Sequence, residues 1–187
     1  MRIVGGRLRG LVLADVGTGD AAAHLRPTSD RVREAVFNLL VNGARGDLVR
    51  GARVLDLFAG SGALGLEALS RGADHVTFVD DGAAARALLR RNIEKARAQG
   101  VTKVWRRDAT ALGPNRDAGY DLVFLDPPYG QALGEKALQS AQAEGWLAPG
   151  AVIIWEEADS PALPASFTLL DQRRYGAAMI TLLQAPE

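Results

Sequence analysis

Short apolar runs alternate with segments of helical hydrophobic spacing between residues 53 and 156. This alternation predicts a mostly parallel β-sheet, because parallel neighbours need crossover connections, and the crossovers place helices on both faces of the sheet. The predicted strands are 53–58, 75–80, 103–107, 121–126 and 151–156, and the predicted helices between them are 63–70, 83–99 and 133–144. The run 121–126 is apolar throughout its interior, so we place it at the centre of the sheet.

The last two apolar runs, 167–174 and 177–184, meet at Tyr175-Gly176. So short a connection predicts an antiparallel hairpin, which would complete a seven-stranded sheet at one edge. A parallel sheet that ends in this way resembles the Rossmann-like α/β fold of S-adenosylmethionine-dependent methyltransferases. A dinucleotide-binding dehydrogenase would end in another crossover instead.

The first 50 residues have a different pattern. Two strand-like halves surround residues 7–10, and a helix is predicted to begin at Pro27 with Thr28 or Ser29 as its cap. The apolar positions expected to face the core are Val32, Val36, Leu39 and Leu40. We therefore predict two parts, an N-terminal extension of a hairpin and a helix over residues 1–50 and a catalytic domain over residues 51–187.

Composition excludes some kinds of site. The chain has no cysteine and only two histidines, so we expect no disulfide and no metal site. No apolar run approaches the roughly 20 residues that cross a bilayer, and the first residues lack a signal-peptide pattern. We therefore expect a cytoplasmic protein without a membrane partner, and a monomer by default. The 22 basic and 22 acidic residues balance, so net charge alone does not indicate nucleic-acid binding.

The segment 56–62, Asp-Leu-Phe-Ala-Gly-Ser-Gly, stands where the first predicted strand turns into a helix. Its glycines let the backbone approach a ligand closely, although a glycine turn in any Rossmann-like protein would look similar. The spacing is not the full dinucleotide fingerprint, and an acid at the strand end would repel a pyrophosphate. A carboxylate there can instead meet the ammonium group of methionine, which favours S-adenosylmethionine over NAD. Cofactor contacts are predicted for Asp56, Phe58, Ala59, Gly60 and Gly62.

Two more acids follow strands of the same predicted sheet. Asp80 lies about 20 residues beyond the glycine segment, where such folds bind ribose hydroxyls, and its neighbour Asp81 could compete for that role. Asp108 follows the third strand and is the candidate for the adenine amino group, with Ala109 and Leu112 as ring contacts. A helix cap would explain Asp108 equally well.

The tetrad 126–129, Asp-Pro-Pro-Tyr, follows the predicted central strand. Its two prolines fix the backbone, so that the Asp126 carboxylate and the Pro127 carbonyl face one small space. Two acceptors there can draw the hydrogens of an exocyclic amine out of the ring plane, and its lone pair can then attack a sulfonium methyl. Tyr129 can stack on a flipped base, although a proline turn with Tyr129 in the core is the plain structural alternative. We predict amino methylation of a nucleobase, with Asp126, Pro127 and Tyr129 as catalytic residues and Asp126 also beside the cofactor.

Further blocks carry a resemblance to a known family. They are residues 1–6 (MRIVGG), 25–34 (LRPTSDRVRE) and 55–72, in addition to the tetrad. With these blocks the sequence resembles the RsmD-type bacterial methyltransferases, which modify guanine N2 in small-subunit ribosomal RNA. Block 25–34 distinguishes this family from other methyltransferases, which share the glycine segment and the tetrad but lack this arginine-rich helix.

The resemblance implies one methyl group placed on a guanine of 16S ribosomal RNA in an assembled or assembling 30S subunit, with S-adenosylmethionine as cofactor and no metal. It also implies that the N-terminal hairpin and the following helix hold RNA. Nucleic-acid contacts are accordingly predicted for Arg2, Arg7, Arg9, Arg26, Arg31 and Arg33. An arginine-rich composition would also fit a GC-rich genome, so these residues are only suggestive when taken alone.

Other functions remain open at this stage. One is an adenine-N6 or other amino methyltransferase acting on RNA or DNA, although a DNA enzyme usually needs a target-recognition domain for which this chain has no room. A small-molecule methyltransferase is another, and the arginines near the amino terminus disfavour it. A cofactor-binding ribosome-assembly factor belongs to a different class, and the intact Asp126 and Tyr129 argue that the chemistry is retained.

Overall fold

The computed structural model describes residues 1–14 and 29–187. Its strands are β1 (Arg53–Leu57), β2 (His75–Val79), β3 (Thr102–Trp105), β4 (Tyr120–Leu125), β5 (Leu147–Glu157), β6 (Thr168–Tyr175) and β7 (Ala178–Gln184). Its helices are α1 (Asp30–Asn42), α2 (Ala63–Ser70), α3 (Ala83–Lys95) and α4 (Leu133–Ala143). The strands form one seven-stranded sheet in the order β3-β2-β1-β4-β5-β7-β6.

The predicted sheet is confirmed. Strands β1 to β5 pair in parallel, whereas β7 runs antiparallel to both β5 and β6. Most bounds agree with the prediction within two residues, and three differ by more: α1 begins at Asp30, α3 ends at Lys95, and β5 already begins at Leu147. The Ser29 hydroxyl accepts a hydrogen bond from the Val32 N–H at 3.2 Å and so caps α1, as one of the two predicted alternatives.

The sheet separates two apolar layers. Alternate strand residues such as Val54, Phe78 and Phe124 pack against α1, α2 and α3, while their neighbours on the other face pack against α4. In the first layer the rings of Phe37 on α1 and Phe124 on β4 lie 5.5 Å apart. Because both faces of β1 and β4 are covered, polar side chains on these strands reach a ligand only at the strand ends.

The N-terminal residues form the predicted hairpin and share the first layer. The Ile3 N–H donates to the Leu11 carbonyl at 3.0 Å, and the Leu13 N–H donates to the Met1 carbonyl at 3.1 Å, around a 3-10 turn at Gly6–Leu8. The side chains of Ile3 and Leu13 are buried in the same cluster as β1 and α2. This segment is therefore packed into the core that supports the sheet.

Glu67 of α2 anchors that segment. Its carboxylate is fully buried and accepts hydrogen bonds from the Val4 and Gly5 N–H groups, each at 2.8 Å, and from Arg71 Nε at 2.8 Å. The Ser70 hydroxyl adds a bond from the Leu8 N–H at 2.9 Å. None of the helices in the described part of the chain is long and apolar enough to cross a membrane.

Candidate active site

The glycine segment and the tetrad lie side by side at the carboxyl edge of the sheet. Leu57, the last residue of β1, pairs with Leu125, the last residue of β4, in parallel register. Phe58 and Asp126 therefore leave the sheet from adjacent strands, which are about 4.8 Å apart in any sheet. A ligand held by the backbone of segment 58–62 would thus lie next to Asp126.

The backbone of the glycine segment is left-handed at three positions. Phe58, Gly60 and Gly62 have φ angles of 59°, 53° and 78°. Gly62 also lies against α3, because a Cβ atom there would approach Leu89 Cδ1 to 2.3 Å. Phe58 adopts the same region although it is not glycine, and such a conformation costs on the order of 1–3 kcal/mol and is typical of ligand sites.

Asp56 is the first residue of this segment and still belongs to β1, two residues before the left-handed Phe58. Its side chain is buried, and Oδ2 accepts a hydrogen bond at 3.0 Å from the N–H of Gly65 in the first turn of α2. Burial raises the pKa of Asp56 to about 8, and the nearby charge of Asp80 acts in the same direction. The carboxylate predicted to meet a cofactor ammonium therefore also fixes the start of α2, and the cofactor contact stays a prediction.

Asp80 joins the end of β2 to the glycine segment. One carboxylate oxygen accepts from the Gly60 N–H and the other from the Gly82 N–H, both at 2.8 Å. Partial burial raises its pKa, and these two backbone hydrogen bonds oppose the rise. Asp81 is exposed, so Asp80 and not Asp81 borders the segment. Each carboxylate oxygen has two lone pairs and can accept a further hydrogen bond from a ligand hydroxyl.

Asp108 caps a turn. One carboxylate oxygen accepts hydrogen bonds from the Thr110 N–H at 2.8 Å and from the Thr110 hydroxyl at 2.7 Å. The sequence left a helix cap open for Asp108, but no helix begins there, since residues 109–110 form a turn that leads into a loop before β4. The contact with an adenine amino group stays a prediction. Ala109 and Leu112, the predicted ring contacts, are buried in the layer that packs against α4.

The tetrad is tied to the end of β5. Pro127 is buried, and the Tyr129 hydroxyl donates a hydrogen bond to Glu156 Oε1 at 2.6 Å. The N–H of Gly130 donates to Glu157 Oε1 at 3.0 Å. Sequence reasoning missed both glutamates, although two acids at the end of an apolar strand beside the tetrad strand were a usable signal.

Asn92 of α3 is a second residue that sequence reasoning missed. Its side chain is fully buried, and its carboxamide nitrogen donates to the carbonyls of Ser61 at 2.9 Å and Ala14 at 3.1 Å. Its oxygen accepts from the Ala14 N–H at 2.7 Å. The glycine segment and the end of the N-terminal hairpin are therefore joined through one side chain.

The predicted RNA-binding arginines fall into different environments. Arg33 is fully buried, and its Nη2 donates to Asp30 Oδ1 at 2.6 Å and to the Arg2 carbonyl. This geometry corrects the prediction for Arg33, because a buried guanidinium that holds α1 to the N-terminal segment does not reach a phosphate. Arg31 is exposed, as are Arg2, Arg7 and Arg9. Arg26 lies outside the described residues.

Residues 1–184 match the protein family described as "Conserved hypothetical protein 95". The chain belongs to that family. The match covers the N-terminal hairpin and α1 as well as the sheet. All the segments on which the resemblance is based therefore lie within the part of the chain that matches the family.

Curated relatives match over nearly the same length. "Ribosomal RNA small subunit methyltransferase D" of Escherichia coli K12 is 36% identical over 187 residues, which cover 98% of this chain and 89% of the relative. The protein of the same name from Haemophilus influenzae is 35% identical and covers 98% and 93%. Solved structures agree on the fold: yhhF from Escherichia coli superposes with a TM-score of 0.84 at 35% identity, covering 100% of this chain and 98% of that chain. PH1948 from Pyrococcus horikoshii, at 18% identity and a TM-score of 0.71, covers 94% and 93% and shows the shared fold alone.

Proposed function

We propose that this protein transfers a methyl group from S-adenosylmethionine to the exocyclic N2 of a guanine in small-subunit ribosomal RNA. The observation that carries the proposal is the register pairing of Leu57 with Leu125, which places the glycine segment beside the Asp-Pro-Pro-Tyr tetrad. The curated relatives of similar length are named as methyltransferases of the small-subunit ribosomal RNA. The choice of guanine N2 rests on the family resemblance of block 25–34.

The residues at the edge of the sheet fit the cofactor. Gly60 and Gly62 give the segment the left-handed turn with which the backbone leaves β1, while Asp56 and Asp80 lie close enough for the charge of Asp80 to raise the pKa of Asp56. Burial raises the pKa of both acids, and a nearby positive charge lowers a carboxyl pKa, so a ligand with an ammonium and a sulfonium group would favour their charged forms. Asp56 and Asp80 would hold it together with the backbone from Phe58 to Gly62. When bound, S-adenosylmethionine supplies an electrophilic methyl group.

Asp126 and the Pro127 carbonyl act on the acceptor. An exocyclic amine conjugated with its ring is a poor nucleophile, and two acceptors that bind its hydrogens turn its lone pair towards the methyl group. On taking up the methyl group the amine would have to lose one proton, for which the Asp126 carboxylate would be the adjacent base. Tyr129 would stack on the base that carries the amine.

The RNA itself would be held near the start of α1. Arg31 lies in the first turn of α1 and is exposed, and the N–H of Arg2 is 3.5 Å from the Asp30 carboxylate of the same turn. A balanced net charge suits recognition of a ribosomal subunit, where protein and RNA surfaces both contribute, more than strong binding of free RNA. We propose the 30S subunit as the substrate, a monomeric enzyme, no metal requirement, and a cytoplasmic reaction.

Methyl transfer with a tritiated cofactor tests the proposal directly. Small ribosomal subunits, naked 16S ribosomal RNA and DNA are each incubated with the enzyme, and the labelled product is digested to nucleosides. We expect the label in N2-methylguanosine from ribosomal substrates. Label in N6-methyladenosine or in DNA would refute the substrate, and no transfer to any of the three would refute the reaction.

Asp126→Ala tests the chemistry. We expect a roughly 10²- to 10⁴-fold loss of kcat, the usual range for removing a general acid or base, while cofactor affinity by calorimetry stays within a few fold. Asp74→Ala is the matched control, since Asp74 is an exposed acid at the opposite edge of the sheet, next to the start of β2. An Asp126 variant that loses cofactor binding but still transfers methyl at the normal maximal rate would contradict the assignment.

A further inference from the structure

Glu156 is a buried acid next to the proposed acceptor site. It is the tenth residue of β5 (Leu147–Glu157), and its exposed fraction is 8%. Glutamate is rarely this buried unless its charge is used in a specific interaction. The identity of that interaction indicates what the residue does.

The carboxylate holds the far end of the Tyr129 side chain. The distance of 2.6 Å between the Tyr129 hydroxyl and Glu156 Oε1 lies in the range of charge-assisted O–H···O hydrogen bonds. The hydroxyl oxygen lies on the axis of the Cβ–Cγ bond, so an anchor there fixes the rotation about Cα–Cβ. The phenolic O–H lies in the plane of the ring, so its hydrogen bond to Glu156 also favours the ring plane that contains the acceptor. The direction of the Tyr129 side chain and the favoured plane of its ring are therefore set by a residue 27 positions away in sequence.

Strand register explains why Glu156 reaches this position. Leu125 of β4 pairs with Trp155 of β5 at the end where the two strands part. Asp126 and Glu156 are the next residues of their chains after this pair. The next residue, Glu157, accepts a hydrogen bond from the Gly130 N–H, directly after Tyr129. The turn of the tetrad is thus attached to β5 through the tyrosine hydroxyl and through the adjacent backbone.

We propose that Glu156 is a positioning residue, which acts through Tyr129 by fixing the ring in the plane where it stacks on the target base. The inference rests on the proposed function in one respect, the identity of the stacked group as a nucleobase. A ring that is already held loses less rotational freedom when the base binds, which lowers the entropic cost of binding. The effect of Glu156 is therefore expected in kcat and KM for the RNA substrate.

A double-mutant cycle tests the pathway from Glu156 through Tyr129. The variants are Tyr129→Phe, Glu156→Ala, the double variant and Glu156→Gln, each measured for kcat and KM with ribosomal substrate and for cofactor affinity. Loss of a hydrogen bond to a charged group predicts a roughly 10- to 100-fold decrease in kcat/KM for each single variant. We expect the double variant to be no worse than the single ones, cofactor affinity to stay unchanged, and Glu156→Gln to recover most activity because its amide oxygen still accepts.

Tyr120→Phe is the matched control. Tyr120 is the first residue of β4, the strand that leads into the tetrad, and its buried hydroxyl donates to Thr77 Oγ1 at 2.7 Å. This variant also loses a tyrosine hydrogen bond, but at the opposite end of β4, so we expect lower thermal stability with normal kcat/KM. The proposal would be overturned if the effects of the two single variants multiplied in the double variant. It would also be overturned if a folded Glu156→Ala protein had normal kcat/KM, or if the Glu156→Gln protein had no activity.

A spectroscopic readout separates this proposal from the proposed function. The chain has three tyrosines, so NMR of protein with ring-labelled tyrosine gives three sets of signals. We expect Glu156→Ala to shift the ζ-carbon signal of Tyr129 and to leave that of Tyr175 in place. An unchanged Tyr129 signal would overturn the positioning role even with an active enzyme. A shifted signal in a protein that methylates no ribosomal RNA would leave the anchor standing and refute the substrate alone.

Discussion

Replacement of Glu67 by alanine is expected to detach the N-terminal hairpin from α2. The Glu67 carboxylate is fully buried and accepts from two backbone N–H groups of the hairpin and from Arg71. Alanine would leave the Val4 and Gly5 N–H groups without this acceptor and the Arg71 guanidinium without its partner. That guanidinium is itself largely buried and lies 5.1 Å from the centre of the Phe37 ring.

The size of the effect follows from these contacts. Removing one partner of a buried ion pair costs about 3–5 kcal/mol, because the remaining charge is left uncompensated. The two N–H groups are only partly buried and recover some hydrogen bonding to water, which places the expected loss in the lower half of that range. For a domain of this length, with about 2–4 °C of melting temperature per kcal/mol, the variant should melt roughly 6–16 °C lower.

Urea unfolding monitored by tryptophan fluorescence measures this loss, and hydrogen exchange of the Val4 and Gly5 amides shows where it arises. Glu94→Ala is the control, because Glu94 is an exposed acid on α3 and surface changes usually stay within about 0.5 kcal/mol. A loss below about 1 kcal/mol for Glu67→Ala, or amides as protected as in the wild type, would refute the reasoning.

Two further outcomes are expected. Burial raises the pKa of Asp56 to about 8 from an ordinary value of 3.8, so the folded protein binds more protons than the unfolded chain between these values, and stability falls as pH rises from about 4 to 8. Asp56→Asn keeps an acceptor for the Gly65 N–H and should remove this dependence of stability on pH. The slope that it removes is at most about 1.4 kcal/mol per pH unit. Urea titrations between pH 5 and 8 measure it, and a variant curve parallel to that of the wild type would contradict the prediction. Arg31→Ala should reduce the slope of log affinity for ribosomal RNA against log salt by about 1 unit, whereas Arg116→Ala, an exposed arginine before the start of β4, should not. Equal slopes for wild type and Arg31→Ala would exclude the phosphate contact.

Sequence periodicity predicted the sheet well because strand-helix alternation is a local signal. It failed where tertiary contacts override local chemistry. Pro149-Gly150 looks like a turn before a strand, yet β5 already begins at Leu147, where a register irregularity between Tyr120 and Leu122 accommodates the extra residues. Helix α3 ends at Lys95 because Arg97 turns to a left-handed φ of 51°, which no glycine or proline at that point announces.

The error at Arg33 has a physical cause that could have been detected. Arg33, Val36, Phe37 and Leu40 are the buried positions of α1, and their spacing is that of one helical face. Counting arginines as a charged block ignored this spacing, which places Arg31 outside the face and Arg33 within it. The charge of Arg33 is balanced locally by Asp30, three residues earlier. A basic block on an amphipathic helix therefore has to be divided by face before it is assigned to RNA.

Glu67, Asn92 and Glu156 escaped sequence reasoning for a common reason: each joins segments that are far apart in the chain. Motif reasoning recovers residues that touch a ligand within one loop, but the residues that hold the loop are set by the packing of several elements. Asn92 connects the glycine segment at Ser61 to the hairpin at Ala14, and Glu67 holds the same hairpin at Val4. The hairpin is thus connected to the glycine segment, and its loss would remove a support of Asn92 as well as the surface proposed to contact RNA. In this fold the proposed RNA-binding extension and the proposed cofactor loop are parts of one supported structure.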